Sequence, residues 1–198
     1  RVPQALDAQA QRTLLRALLT RPRRRELEQA GFTLLFSGMS LAALTHMTRH
    51  RMQALCAPDL LANADYTRYV LPQSVLDAGQ ERVYRDAFAL AAHAAAELQA
   101  LGADKNVLRY LLLSGQTVPV LTTMNAGELY VFFRLRCCSR AQWEIRACAD
   151  AALAALREKS PVLFSLYGPT CVAAGRCPEG KMTCGRQAEM KKRYASGE

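Results

Sequence analysis

The stretch that decides the fold is Arg136-Cys137-Cys138-Ser139-Arg140-Ala141-Gln142-Trp143-Glu144-Ile145-Arg146. Ser139 with Gln142 has the Ser-x-x-Gln form of a capping box, which predicts a helix over about 140–158. Asn125 with Glu128 resembles a second capping box and predicts a helix over about 126–136. Two helices in series therefore meet at a junction rich in arginine, with Arg134, Arg136, Arg140 and Arg146 around it.

Outward from this junction, further helices and two extended segments are predicted. Residues 5–20 have the period of a helix, and 31–37 read as a strand before a helix that Ser40 caps and that runs to about Arg51. An Ala-rich helix over about 74–101 ends at Gly102, and Asp104 starts a shorter one. Residues 116–124 are extended, with Pro119 indicating an edge strand or a bulge. Residues 52–72 and the tail from Ser160 are expected to be mostly irregular.

This order of elements predicts an α+β fold. We expect a helix-rich single domain over residues 1–198, built around a small, mostly antiparallel sheet. An N-terminal helix lies within 1–24, and residues 186–198 form a basic tail.

The composition is that of a globular protein with anionic partners. Of the 198 residues, 51% are hydrophobic and 22% are charged, and the net charge is +9. No apolar run approaches the roughly 20 residues of a membrane-spanning helix. The seven cysteines include no Cys-x-x-Cys pair, which favours reduced thiols and a cytoplasmic location.

Arginines are the candidate anion ligands, because neither a phosphate-binding Gly loop nor a dinucleotide-binding fingerprint is present. Arg49-His50-Arg51 is expected to close a helix, where the dipole favours cations by roughly 0.3–1 kcal/mol. Two arginines in one turn can also clamp a diphosphate, since guanidinium pairs with phosphate oxygens bidentately. Both interpretations of the triplet stay open on its residues alone.

Several motifs resemble the flavin-dependent thymidylate synthases, over roughly residues 25–185. The N-terminal part of the resemblance consists of Leu27-Glu28-Gln29-Ala30-Gly31-Phe32-Thr33-Leu34, Gly38-Met39-Ser40-Leu41-Ala42-Ala43-Leu44-Thr45-His46-Met47 and Arg49-His50-Arg51. The C-terminal part consists of Gly102, Leu108-Arg109-Tyr110-Leu111-Leu112-Leu113, Asn125-Ala126-Gly127, the Arg136–Arg146 stretch, and Gly168-Pro169-Thr170-Cys171 through Cys177-Pro178-Glu179-Gly180-Lys181.

The resemblance implies a homotetramer with active sites between subunits and with FAD as cofactor. It implies NADPH as reductant and methylenetetrahydrofolate as carbon donor, for methylation of carbon 5 of a uracil nucleotide. By position, Arg136 would be the catalytic residue that polarises the uracil ring, and Arg49, Arg109 and Arg136 would bind the nucleotide. The residues expected to contact FAD are Glu28, Arg49, His50, Arg51, Asn125, Leu135 and Arg140.

The sequence departs from the family pattern mainly on the nucleotide side. Where the family has Ser-x-Arg-Tyr, an ungapped alignment gives Asp59-Leu60-Leu61-Ala62, and a gapped one gives Tyr66-Thr67-Arg68-Tyr69. Four single positions also differ: Met47 replaces a Gln, Leu41 an Arg, Gly127 an Arg and Gln29 a His.

These departures leave two interpretations within the family. One is a methylating enzyme with a reshaped pocket for UMP, dUMP or both, similar to the uridylate-methylating enzymes of polyoxin-type nucleoside-antibiotic pathways. The other is a non-catalytic relative that keeps a flavin or nucleotide. The first is favoured because Arg109, Arg136 and the Arg-His-Arg triplet persist.

Two alternatives lie outside flavin chemistry. Cys137, Cys138, Cys171, Cys177 and Cys184 could supply ligands to a structural zinc, but their irregular spacing favours free thiols, so no metal is expected. The net charge and the arginines at 21–25 suit a nucleic-acid-binding module. Aromatic residues make up only 7% and no binding motif is present, so we expect no nucleic-acid partner and no membrane partner.

Overall fold

The computed structural model describes residues 5–60 and 64–195. Three strands, β1 (Gly31–Ser40), β2 (Ala54–Cys56) and β3 (Thr117–Asn125), form one sheet in the order β1-β3-β2. β1 and β3 are antiparallel, because the Ala126 N–H donates to the Ala30 carbonyl near one end and the Leu41 N–H donates to the Gln116 carbonyl near the other. The predicted strand over 31–37 continues through Gly38 to Ser40.

Pro119 lies in the central strand, so the expectation of an edge strand is wrong. β2 has three residues against nine in β3. A strand this short can pair with only part of β3. On that side, β3 therefore has positions that form no hydrogen bond to β2, and a proline, which has no N–H, can occupy one of them at no cost.

The helices are more numerous and shorter than the sequence pattern indicates. They are α1 (Ala8–Thr20), α2 (Arg25–Glu28), α3 (Leu41–Met47), α4 (Gln73–Asp77), α5 (Glu81–Ala100), α6 (Lys105–Leu108), α7 (Ala126–Arg136), α8 (Trp143–Lys159), α9 (Pro161–Phe164), α10 (Thr170–Ala173) and α11 (Gln187–Tyr194). Two 3-10 turns span Arg109–Leu111 and Gly180–Met182. Helices around a small antiparallel sheet confirm the α+β prediction.

The predicted helix over 74–101 and the predicted loop-like tail both need correction. The helix expected over 74–101 is divided into α4 and α5, because Gly79 adopts a left-handed φ of 64° between them. Gly102, with φ of 79°, closes α5 as predicted. The tail is not loop-like, since it forms α9, α10 and α11, and Met190 and Tyr194 in the basic segment are buried.

The chain divides into two compact units. One contains residues 35–122, and the other contains the segments up to Leu34 and from Thr123 onward. A single domain over 1–198 stays a prediction.

The unit made of both chain ends is organised by aromatic packing around Tyr167. The Tyr167 ring lies 4.9 Å from the ring of Phe164 and 5.3 Å from that of Tyr130. Its hydroxyl donates to the Ala126 carbonyl at 3.1 Å, which joins the segment after α9 to the first turn of α7. Burial raises the pKa of the Tyr167 hydroxyl far above its ordinary value. This core holds α7 in place, and α7 carries most of the candidate site.

In the unit of residues 35–122, the buried core includes residues of β1, α3 and β3. Met39, Ala43, Met47 and Val120 are fully buried. Tyr69 stacks on Phe88 of α5 with ring centroids 4.2 Å apart. The segment that leads to Tyr69 is therefore held between β3 and α5.

Candidate active site

Helix α7 positions the first group of predicted site residues. The Asn125 side-chain oxygen accepts the Glu128 backbone N–H at 2.9 Å, which starts the helix where the capping pattern predicts. Leu129, Phe132 and Phe133 are fully buried in the core. Because their burial fixes the rotation of the helix, its last turn carries Leu135 and Arg136 at a defined position.

The junction between α7 and α8 is a tight turn whose cap differs from the prediction. Gln142, not Ser139, caps α8, and its side-chain oxygen accepts the N–H groups of Glu144 and Ile145 at 2.9 Å. The Ser139 carbonyl accepts a hydrogen bond from the Arg146 guanidinium at 2.9 Å. Arg146 therefore braces the turn that precedes α8.

A cavity of about 330 Å³ opens beside this junction. One wall contains Arg134, Leu135, Arg136 and Arg140, and the other is formed by residues 169–171 and by the segment from Cys177 to Met190. Three guanidinium groups around one cavity favour an anionic ligand. The structure thus brings together three of the predicted residues, Leu135, Arg136 and Arg140.

Arg134 also lines the cavity and was not selected from the sequence as a site residue. Its guanidinium carbon lies 5.3 Å from the centre of the Tyr130 ring. Its Nε is buried and has no hydrogen-bond partner among the described residues. A buried N–H without a partner costs about 1–3 kcal/mol, so this atom is suited to a bound acceptor. Its place in a cluster of four arginines was the only signal that the sequence offered.

Arg140 is held by the C-terminal wall of the cavity. Its Nη1 donates to the Met182 carbonyl at 3.1 Å, and its Nε lies 4.0 Å from a carboxylate oxygen of Glu179. Both partners come from the segment between Cys177 and Cys184. A ligand that binds Arg140 must therefore replace or share these contacts.

Glu28 and Asn125 lie at the opposite end of α7. Glu28 is the last residue of α2, which packs against α7. The pKa of Glu128 in the first turn of α7 is raised, first by partial burial and then by the charge of Glu28. Two carboxylates therefore share the start of α7, while the predicted cavity arginines lie at its end.

The other predicted residues belong to the unit of residues 35–122. α3 ends at Met47, with Thr48 as its C-cap, so Arg49, His50 and Arg51 lie in the turn after the helix instead of closing it. The His50 N–H donates to the Met47 carbonyl at 3.0 Å, which fixes this turn. Arg49 and Arg51 are exposed and His50 is half-buried. Arg109 is exposed at the start of the 3-10 turn after α6.

Known proteins identify the family to which these features belong. The family model described as thymidylate synthase complementing protein matches residues 2–162. A flavin-dependent thymidylate synthase of Geobacter sulfurreducens is 38% identical over 172 residues, which cover 85% of this chain and 74% of that protein. This chain belongs to the flavin-dependent thymidylate synthase family. The synthase of Clostridium tetani is 32% identical over 186 residues, with the same coverage of 85% and 74%.

A solved structure shows the same fold. Thymidylate Synthase X from Helicobacter pylori, determined with FAD and dUMP, superposes with a TM-score of 0.60 at 20% sequence identity. The match covers 77% of this chain and 80% of that one. The α+β architecture is therefore that of a flavin-dependent thymidylate synthase.

Met47 is one of the four positions at which this chain differs from the family pattern. It replaces a Gln, and its side chain is fully buried at the end of α3. Its carbonyl accepts the Gln53 amide at 2.7 Å, and the Gln53 side-chain oxygen accepts the Thr122 hydroxyl at 2.7 Å. Met47 thus belongs to the core of its unit. The side-chain amide next to this position comes from Gln53.

The region that aligns with Ser-x-Arg-Tyr is described only in part. Leu61 and Ala62, from the ungapped alignment, lie outside the described residues. In the gapped alternative, the Asp65 carboxylate accepts the N–H and the hydroxyl of Thr67 at 2.9 and 2.6 Å, which lowers the pKa of Asp65. Arg68 follows this turn, and its carbonyl accepts the Thr117 N–H at the start of β3. This backbone hydrogen bond fixes Arg68 beside the sheet, while its side chain stays exposed.

Residues 5–60 and 64–195 contain no group of three or more His, Cys, Asp or Glu side chains placed to hold a metal ion. Over the same ranges, no helix combines the length and the apolar character needed to cross a membrane.

Proposed function

We propose that this chain methylates carbon 5 of a uracil nucleotide, dUMP or UMP, in an FAD-dependent reaction. Methylenetetrahydrofolate is the proposed carbon donor and NADPH the proposed reductant. Family membership supports this, since the relatives are named flavin-dependent thymidylate synthases and one solved structure contains FAD and dUMP. The observation that carries the proposal is the cavity lined by Arg134, Arg136 and Arg140. The Nε of Arg134 is also buried without a partner among the described residues.

The cavity fits part of the proposed ligand set. Its volume of about 330 Å³ is at the low end of the roughly 300–1,000 Å³ of ligand pockets. It can hold a mononucleotide or one half of a dinucleotide, so the remaining contacts have to come from elsewhere in the assembly. We accordingly propose a homotetramer whose active sites form between subunits. The proposed location is the cytoplasm.

The proposed roles follow the chemistry of the side chains. Arg136 donates charge-assisted hydrogen bonds to a uracil carbonyl and stabilises the negative charge that develops on the ring. Arg49 and Arg109 bind the nucleotide with it, and the exposed Arg68 supplies the phosphate contact of the gapped alignment.

The remaining predicted residues hold the cofactor. Glu28, Asn125, Leu135 and Arg140 are assigned to FAD together with the Arg49-His50-Arg51 triplet. When bound, the flavin supplies the hydride that completes the methyl group, and the protein's part is to bind, orient and exclude water.

Methylation is tested on the purified full-length protein. Visible flavin absorbance is recorded first, and dUMP and UMP are then incubated separately with methylenetetrahydrofolate and NADPH. We expect a 5-methyl product by mass spectrometry from at least one nucleotide. Formation from UMP would identify a ribonucleotide substrate, as in nucleoside-antibiotic biosynthesis.

Arg136→Gln and Arg16→Gln form a matched pair, because both remove one positive charge and Arg16 is exposed on α1. Arg136→Gln should lower kcat/KM by about 100-fold, the size expected when a preorganised donor to a developing charge is lost. Arg16→Gln should change it less than about twofold. Flavin binding without product from either nucleotide would point to the non-catalytic relative. Colourless protein that binds duplex DNA with a steep salt dependence would point to a nucleic-acid binder.

A further inference from the structure

Four cysteines line the same cavity as the arginines. Cys138 lies in the α7–α8 turn, Cys171 lies in α10, and Cys177 and Cys184 lie in the C-terminal wall. All four are free thiols. Four thiols from three segments around one cavity form a cluster that the proposed methylation does not use.

Cys184 has the properties of an attacking thiol. It is exposed, so a small molecule can reach it. The Arg186 backbone N–H stabilises its thiolate and lowers its pKa, and this outweighs the opposing effect of burial. Cys184 is therefore more fully ionised near neutral pH than an ordinary cysteine.

Cys171 has the complementary properties of a resolving thiol. Burial raises its pKa, and the nearby Cys138, Cys177 and Cys184 raise it further. It is thus a protonated thiol that lies close enough to interact with each of the other three.

Hydrogen bonds and helix packing connect the segments that carry these two cysteines. The Gln187 amide, at the start of α11, donates to the Gly175 carbonyl at 2.7 Å and to the Cys171 carbonyl at 3.4 Å. α10 and α11 also pack against each other. The segment that carries Cys184 is therefore held beside the helix that carries Cys171.

We propose that Cys184 and Cys171 are a thiol–disulfide pair that reacts with low-molecular-weight disulfides. The Cys184 thiolate attacks one sulfur of the small disulfide, forms a mixed disulfide and releases one small thiol. The Cys171 thiol then loses its proton and attacks the Cys184 sulfur, which releases the second small thiol. In total, one small disulfide is reduced to two thiols, and two cysteine thiols are oxidised to one disulfide.

The oxidised pair constrains the wall that binds Arg140. The Met182 carbonyl and Glu179, which contact Arg140, lie in the segment that ends at Cys184. A bond from Cys184 to α10 fixes this segment against the cavity. The thiol chemistry is independent of the proposed function, whereas an effect of oxidation on flavin binding rests on it.

The test exposes the reduced full-length protein to glutathione disulfide and follows it by intact mass and peptide mapping. We expect a transient glutathione adduct at Cys184, followed by a Cys171–Cys184 disulfide that dithiothreitol reverses. Cys184→Ser should abolish the disulfide, and Cys171→Ser should leave the adduct at Cys184 in place. Cys56→Ser is the matched control, because Cys56 is an exposed free thiol in the other compact unit, and it should change neither product.

The rate provides a second measurement that does not depend on any variant. A tenfold gain in thiolate fraction accelerates exchange only about threefold, because nucleophilicity falls with the pKa. Cys184 should form its adduct faster than Cys56 in the same sample, by no more than several-fold. Equal rates, a stable adduct in the wild type, a disulfide from Cys184 to Cys138 or Cys177, or stoichiometric zinc on the purified protein would each overturn the assignment.

Discussion

Arg157 of α8 forms hydrogen bonds to three separate positions in the C-terminal region. Its replacement therefore tests how much these bonds stabilise the fold. Its Nε donates to the Phe164 carbonyl at 3.2 Å, and its Nη2 donates to the Tyr167 and Tyr194 carbonyls at 2.9 and 3.0 Å. The three acceptor residues are each at most 5% exposed. Partial burial of the guanidinium lowers the pKa of Arg157, but arginine stays charged at neutral pH.

Arg157→Met removes all three hydrogen bonds but keeps an apolar side chain in place. Hydrogen bonds from a charged donor contribute about 1.5–3 kcal/mol each when fully buried. Because Arg157 is only half-buried, water replaces part of this, and the expected loss is about 3 kcal/mol in the free energy of unfolding. For a chain of 150–250 residues, this corresponds to a fall in Tm of about 6–12 °C.

Differential scanning fluorimetry and denaturant unfolding measure this loss, with Arg16→Met as the control for charge. Arg157→Lys should lose roughly half as much, because one ammonium group keeps the charge but cannot reach three carbonyls at once. A change below about 0.5 kcal/mol in Arg157→Met would refute the reasoning, since the three carbonyls would then not depend on the guanidinium.

Three further predictions concern α7 and α3. Asn125→Ala should lower the free energy of unfolding by about 1 kcal/mol through loss of the cap, whereas Asn125→Asp should keep most of it; denaturant midpoints measure both. Glu28→Gln should lower the pKa of Glu128 in an NMR titration. Because a raised carboxyl pKa makes folding less favourable as the pH rises through it, this variant should lose less stability between acid and neutral pH than the wild type. Met47→Gln should destabilise the fold by about 1–3 kcal/mol without raising kcat/KM, since the amide enters a fully buried position; unchanged stability with higher activity would contradict this placement of Met47.

The sequence was most informative where a local rule decides the structure. Asn125 starts α7, Ser40 starts α3, and Gly102 ends α5, all at the predicted positions. Each of these features needs only one side chain or one backbone angle, so neighbouring residues suffice to predict it.

Features that depend on distant residues were predicted less well. Ser139 has the residue type and spacing of a cap, but its carbonyl is held by Arg146 and its hydroxyl contacts the Met190 sulfur at 3.8 Å. α11 lies in the predicted basic tail, where its two buried residues, Met190 and Tyr194, give only a weak apolar pattern. The Tyr194 hydroxyl donates to the Asp150 carboxylate, a contact across 44 residues that no local pattern can indicate.

The arginines of the junction show why the sequence could locate a candidate site but could not assign a role to each of its residues. All four have the same charge and the same donors, so only their contacts distinguish them. Arg146 donates to the turn that it stabilises, and Arg140 is bound by the C-terminal wall. Arg134 alone among them has a buried Nε without a partner among the described residues. A ligand that accepts from this Nε gains a hydrogen bond without first breaking one, whereas a ligand at Arg140 has to replace or share the contact with the Met182 carbonyl. Arg134 should therefore contribute more than Arg140 to the affinity for an anion in this cavity, although the family resemblance pointed to Arg140.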